Sequence, residues 1–112
     1  MAWTFDEIKN KYDQDCNNPG VIEPGLWGAA LHILEEACGS VENRYQFQKL
    51  LTGRVHSRDL DDGERWGLLM FVLPMKDELT KKWVSRRGEE FEHDVRNVLA
   101  KAGDQPGQEK MF

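Results

Sequence analysis

Leu68-Leu69-Met70-Phe71-Val72-Leu73-Pro74, six apolar residues in a row closed by a proline, lies between Trp66 and Trp83. The run is too short to span a bilayer, which takes about 20 apolar residues. It is also too apolar for an ordinary surface helix, which shows a single apolar stripe. It is therefore either the buried central element of a domain or a surface that a partner covers. Leucine and methionine outnumber β-branched residues in it, so helix is the better reading than strand. Asp61 and Glu64 form a cap-plus-acid signature at its start. Pro74 removes a backbone donor and clashes with the turn before it, so helical continuity is expected to fail at Leu73-Pro74. Beyond the proline, Met75, Leu79 and Trp83 at i, i+4 and i+8 predict a second helical segment ending at Gly88.

Working outward, Thr4 and Glu7 have capping-box spacing, and Trp3 and Ile8 occupy the positions of a hydrophobic staple. Phe5, Ile8 and Tyr12 continue that first helix. Asp15 to Gly25 holds two Pro-Gly turns and reads as a loop, with Val21-Ile22 expected to tuck inward as a plug. Leu26, Ala30, Ile33, Leu34 and Ala37 give the clearest helical stripe, stopped by Gly39. Ser40 caps the next helix, which runs to about Thr52, and the short Gly39-Ser40 link predicts a tight αα-hairpin. Phe91, Val95, Val98 and Leu99 mark a last helix from Glu89 to about Ala102. The expected fold is thus all-α, a compact bundle of five or six short helices around a proline-broken central helix pair. It comprises one domain over residues 1–102 and a flexible tail over residues 103–112.

At 112 residues the chain has the length of one domain. Its 39% hydrophobic and 31% charged residues fit a soluble globular protein rather than a disordered one. The net charge of −5 is unevenly spread: residues 1–64 hold twelve acids against six Lys and Arg, residues 65–112 eight against nine. An acidic body is poor for nucleic acid, whose phosphates dominate its affinity for proteins. Cys16 and Cys38 lack zinc-ligand spacing; a disulfide between them is unsupported, and Cys38 closes an apolar helix face as a small buried hydrophobe. The opening Met-Ala-Trp-Thr-Phe-Asp-Glu is acidic and has no apolar h-region, which points to a reducing cytoplasm.

Several groups resemble chemical sites and fail on geometry. His32 and Glu36 lie one turn apart and Glu90 and His93 have E-x-x-H spacing, but both sets sit opposite their helices' apolar faces, whereas di-iron bundles aim ligands inward. Glu35, Glu36, Glu89, Glu92 and Asp94 supply acid without the paired core-side sets that a magnesium-dependent nucleotide hydrolase would need. Asp59 to Glu64 misaligns with a calcium loop and is better explained by helix caps. His56-Ser57 reads as a turn. Nucleophile elbows and glycine-rich phosphate loops are absent, so no cofactor is implied.

One basic cluster remains, Lys81-Lys82-Trp83-Val84-Ser85-Arg86-Arg87. Cations favour a helix C-terminus, and an aromatic among cations also suits an acidic partner. Lys81, Lys82, Trp83, Arg86 and Arg87 are accordingly the candidate partner-binding residues. The expected function is a non-enzymatic helical interaction module, an adaptor or a subunit of a larger complex, with a protein partner that could be a second copy. The alternatives are a nucleic-acid-associated regulator using residues 81–87 and, third, a carboxylate-metal nucleotide hydrolase.

Overall fold

Three of the five described helices begin at a capping side chain. In the computed structural model, which describes residues 3–103, α1 spans Phe5–Cys16, α2 Leu26–Cys38, α3 Val41–Thr52, α4 Asp62–Val72 and α5 Glu89–Gly103. A 3-10 turn covers Ser57–Asp59, and strands β1 (Pro74–Lys76) and β2 (Trp83–Ser85) pair antiparallel between α4 and α5. Both expected capping boxes close: Thr4 Oγ1 accepts from the Glu7 N–H at 3.2 Å, and Asp61 Oδ1 from the Glu64 N–H at 2.8 Å. Each glutamate reaches back to its cap's N–H. Ser40 caps α3 through the Asn43 N–H at 3.1 Å. The tail expected over residues 103–112 falls outside the described residues, apart from Gly103 at the end of α5.

The six-residue run is core. Leu68, Leu69, Phe71 and Val72 are buried, and Met70 and Leu73 are half-buried. Phe71 ties three helices together, because its ring centroid lies 5.5 Å from Phe47 of α3 and 5.5 Å from Phe91 of α5. Tilted aromatic pairs of this kind add to plain area burial. Ile8, Leu34, Leu51, Val95 and Val98 complete the same core from the other helices.

α1 and α4 cross at unusually close range. A Cβ on Gly63 would stand 2.6 Å from the Cys16 carbonyl oxygen, and one on Gly67 2.7 Å from the Tyr12 ring and 2.8 Å from Cys16 Sγ. These two glycines, one turn apart, open a groove in α4 that Tyr12 and Cys16, also one turn apart, fill. Small residues four apart let helix backbones approach in this way.

The helical segment expected from Met75, Leu79 and Trp83 does not form. Pro74 keeps Leu73 out of the right-handed helical region, and Leu73 ends α4 as a left-handed cap, φ 50° and ψ 66°, with its N–H on Leu69 O. For a leucine this costs about 1–2 kcal/mol. What offsets it is the returning strand, which satisfies the last carbonyls of α4. Phe71 O accepts from Arg87 Nη1 at 3.0 Å, Val72 O from Ser85 Oγ at 2.5 Å and Leu73 O from the Arg86 N–H at 2.8 Å. Asp77 builds the turn: its carboxylate accepts from the Leu79 N–H at 3.2 Å and the Thr80 hydroxyl at 2.8 Å. Its N–H donates to Lys82 O at 2.8 Å, and Lys81 closes the loop at φ 60°. A side chain that bonds its own backbone two residues on favours turns over helix, and here it outweighs three apolar residues at helical spacing. The inward Val21-Ile22 plug is half corrected: Ile22 packs against the core, whereas Val21 is 91% exposed.

Two outcomes follow from this packing. Gly67→Ala should destabilise the fold by about 1–3 kcal/mol, the usual cost of overpacking, as read from the urea midpoint. Tyr12 is buried and its hydroxyl has no hydrogen-bond partner among the described residues; burial, helped by the neighbouring Cys16, raises its pKa above the ordinary phenol value. The folded state therefore holds its proton more tightly than the unfolded chain, and stability is lost as pH rises past about 10. Tyr12→Phe should leave the midpoint at neutral pH unchanged or higher and flatten the alkaline loss. An unchanged alkaline slope would contradict the assignment.

Candidate docking surface on the hairpin

The basic cluster spans β2 with the turn before it and the residues that follow it, not a helix end. Lys81, Lys82 and Arg86 are exposed and have no ion-pair partner among the described residues. Trp83, expected to belong to a buried helical stripe, is 37% exposed on β2. Opposite it in register stands Lys76 of β1, with its Nζ 6.0 Å from the centre of the indole ring. Leu79 at the tip is 93% exposed and Val84 38%. The hairpin therefore carries three exposed apolar side chains and four cations, with Trp83 and Lys76 on one face and Val84 on the other; Lys76 joins only through strand pairing. Lys76, Leu79 and Val84 were not candidates on sequence. The helical reading separates Lys76 from Trp83, whereas the Asp77–Thr80 turn chemistry would have placed them side by side.

Arg87 is corrected out of this surface. It turns inward, with its guanidinium 4.9 Å from the Phe71 ring centroid and 5.7 Å from that of Trp3, and its Nη2 pairs with Asp94 Oδ2. Asp94, expected among the solvated acids, is fully buried. Its other oxygen accepts from the Trp3 N–H at 2.8 Å, while Asn97 Nδ2 donates to Trp3 O at 2.8 Å. A buried acid is seldom unpaired, and Arg87 with Asp94, seven residues apart across Gly88, joins the chain entry, α4, the hairpin exit and α5.

The other charged groups serve the fold locally. His32 and Glu36 pair at 2.9 Å on the open face of α2, at 65% and 68% side-chain exposure. Glu35 accepts from Arg44 Nε at 3.2 Å, and Arg44 also donates to the buried Gln48. Arg54 Nε reaches both oxygens of Glu64 at 3.1 Å. His56 packs edge-on against Tyr45, with ring centroids 5.2 Å apart, and its carbonyl accepts from the Asp59 N–H, so the His56-Ser57 pair sits in a turn. Among the described residues no three His, Cys, Asp or Glu side chains gather where one ion could hold them. Both cysteines are free. Burial pushes the Cys38 thiol up to about 12, which keeps it protonated and unreactive at neutral pH. Bonds from the Thr80 hydroxyl and the Leu79 N–H hold the Asp77 carboxyl below its usual range, so this turn stays charged and closed.

Two hollows flank the hairpin. One, of about 630 Å³, runs between β1 with Trp83 and the 21–26 segment, over α4. The other, of about 360 Å³, lies between Trp83-Val84 and the Ile33 and Phe91 region. No helix among the described residues is long and apolar enough to cross a membrane. Comparison with protein families, characterised proteins and solved structures gives no match for this chain.

Removing one partner of a buried ion pair strands the other. Asp94→Ala should therefore destabilise the protein by about 3–5 kcal/mol, while Lys81→Ala with Lys82→Ala should stay within about 0.5 kcal/mol of the parent. Denaturant midpoints of the two variants measure the difference, and equal values would refute the separation of Arg87 from its neighbours.

Proposed function

We propose that this chain is a non-enzymatic protein-interaction module that docks an acidic partner through the Pro74–Arg86 hairpin. The observation that carries the reading is Leu79, Trp83 and Val84, all exposed, standing among Lys76, Lys81, Lys82 and Arg86, cations without ion-pair partners among the described residues. Large aromatics dominate binding energy at interfaces. Cations around them steer an acidic partner and set its orientation. The chain as a whole has net charge −5, so the hairpin is the end that an acidic surface approaches. The carboxylates nearest the core weigh against a metal hydrolase, since Glu35, Glu64 and Asp94 each hold an arginine.

The test is affinity capture from host extract with three baits: the parent, a hairpin variant (Leu79→Ser, Trp83→Ser, Lys81→Ala, Lys82→Ala) and a control changed at the exposed Glu42 and Lys49 on α3. Partners should be lost by the hairpin variant alone. Capture by all three equally would overturn the reading. Captured nucleic acid whose release steepens with salt, as phosphate binding does, would replace it with the regulator reading.

A further inference from the structure

The larger of the two hollows has the build of a seat for one bulky apolar side chain. Trp66 and Met70 of α4, Met75 and Trp83 of the hairpin, and Val21 and Leu26 on the other side line it. The outer wall is set by a close contact. A Cβ on Gly20 would stand 2.6 Å from the Trp66 ring, so only glycine lets the loop lie flat on the indole. Val21 then stands at the lip, 91% exposed. The volume of about 630 Å³ falls in the range of about 300–1,000 Å³ typical of ligand pockets. Methionine walls adapt to different guests, because the thioether chain is flexible and polarizable.

Charge on the rim selects the guest. Lys76 and Arg86 border the hollow on the hairpin side, and neither has an ion-pair partner among the described residues. Glu23 borders it on the loop side. An occupant must therefore combine an apolar anchor with carboxylates toward the hairpin and none toward the loop. A second copy docking hairpin to hairpin is disfavoured, because it would bring four cations against the same four. A nucleic acid strand carries a phosphate at every step and would set some of them against Glu23.

Building on the docking reading above, we propose that this hollow binds a short acidic peptide segment of a partner protein. One aromatic or long aliphatic side chain enters between Met70, Met75 and Trp83, and flanking Asp or Glu residues meet Lys76 and Arg86. The anchor supplies affinity and the carboxylates supply orientation.

The experiment follows the methyl signals of Met70 and Met75 and the Trp83 indole N–H by NMR while the full chain is titrated with synthetic peptides. One peptide carries Phe between acidic residues, a second replaces Phe by Ser, and a third replaces the acids by Lys. Single-stranded DNA and anionic lipid vesicles are the remaining arms. The Phe peptide should move all three signals. The Ser peptide should bind about tenfold or more weakly, as expected for loss of one buried bulky side chain. The Lys peptide should not bind. Glu23→Lys, on the exposed loop, should tighten the acidic peptide several-fold, and Lys76→Glu with Arg86→Glu should abolish its binding. If Phe and Ser peptides bind equally and leave the Met70 signal unmoved, the seat is refuted while the docking reading stands. If no peptide binds, or DNA or vesicles alone move the hairpin signals, both are refuted.

Discussion

The Arg87–Asp94 pair decides where the two halves of this chain meet. Asp94 is fully buried and its partner is 14% exposed at the side chain, so both charges have left water, a loss that only close mutual pairing and further hydrogen bonds offset. Two such bonds run from the Trp3 N–H to Asp94 and from Arg87 to the Phe71 carbonyl, and the Trp3 and Phe71 rings flank the guanidinium. A buried pair adds little net stability over an apolar replacement, but it tolerates few alternatives. A slip of the hairpin by one residue would put Arg86 where Arg87 stands, turn the cation to the other face and leave Asp94 alone. Register in β1 and β2, the start of α5 and the seating of the N-terminal segment are all read against this one contact.

The helical part of the fold was legible because its signals are local. Thr4 with Glu7, Ser40 with Asn43, and Asp61 with Glu64 are bonds within one turn, and the stripe of α2 is long enough to set its face. The hairpin was hidden for the opposite reason. Met75, Leu79 and Trp83 repeat at helical spacing by coincidence, whereas the decisive interactions join Phe71, Val72 and Leu73 to Ser85, Arg86 and Arg87. Such pairings leave no periodic trace. Asp77 and Thr80 were the available signal, a turn former and a hydroxyl three residues apart. The Gly63 and Gly67 crossing was likewise visible as a small-residue spacing, but what it accommodates, Tyr12 and Cys16, lies far away in the chain.

The candidate site was legible as a composition rather than as a shape. Four cations around a tryptophan stand out in any acidic chain, and three of them, Lys81, Lys82 and Arg86, do lie on the surface. A linear reading cannot tell which cation turns inward, because that depends on Asp94 across a glycine and on a ring from α4. Nor can it supply Lys76, which reaches Trp83 only through strand pairing. Folding thus sorts one basic run into a structural arginine and an exposed triad, and recruits a fourth cation from the facing strand.

The hairpin is anchored at its root and free at its tip. Val72, Leu73, Ser85, Arg86 and Arg87 are bound to the end of α4 by donors and acceptors of fixed position, whereas residues 78–82 hold only the turn they make. Such an arrangement behaves as a cassette: the root is constrained by the helix it caps, and the tip can change residue by residue without disturbing the core. Relatives of this chain would then keep the Ser-x-Arg exit of the hairpin together with an acid in the first turns of α5, while varying the tip in charge and length. Divergence in partner choice can accumulate there at little cost to folding.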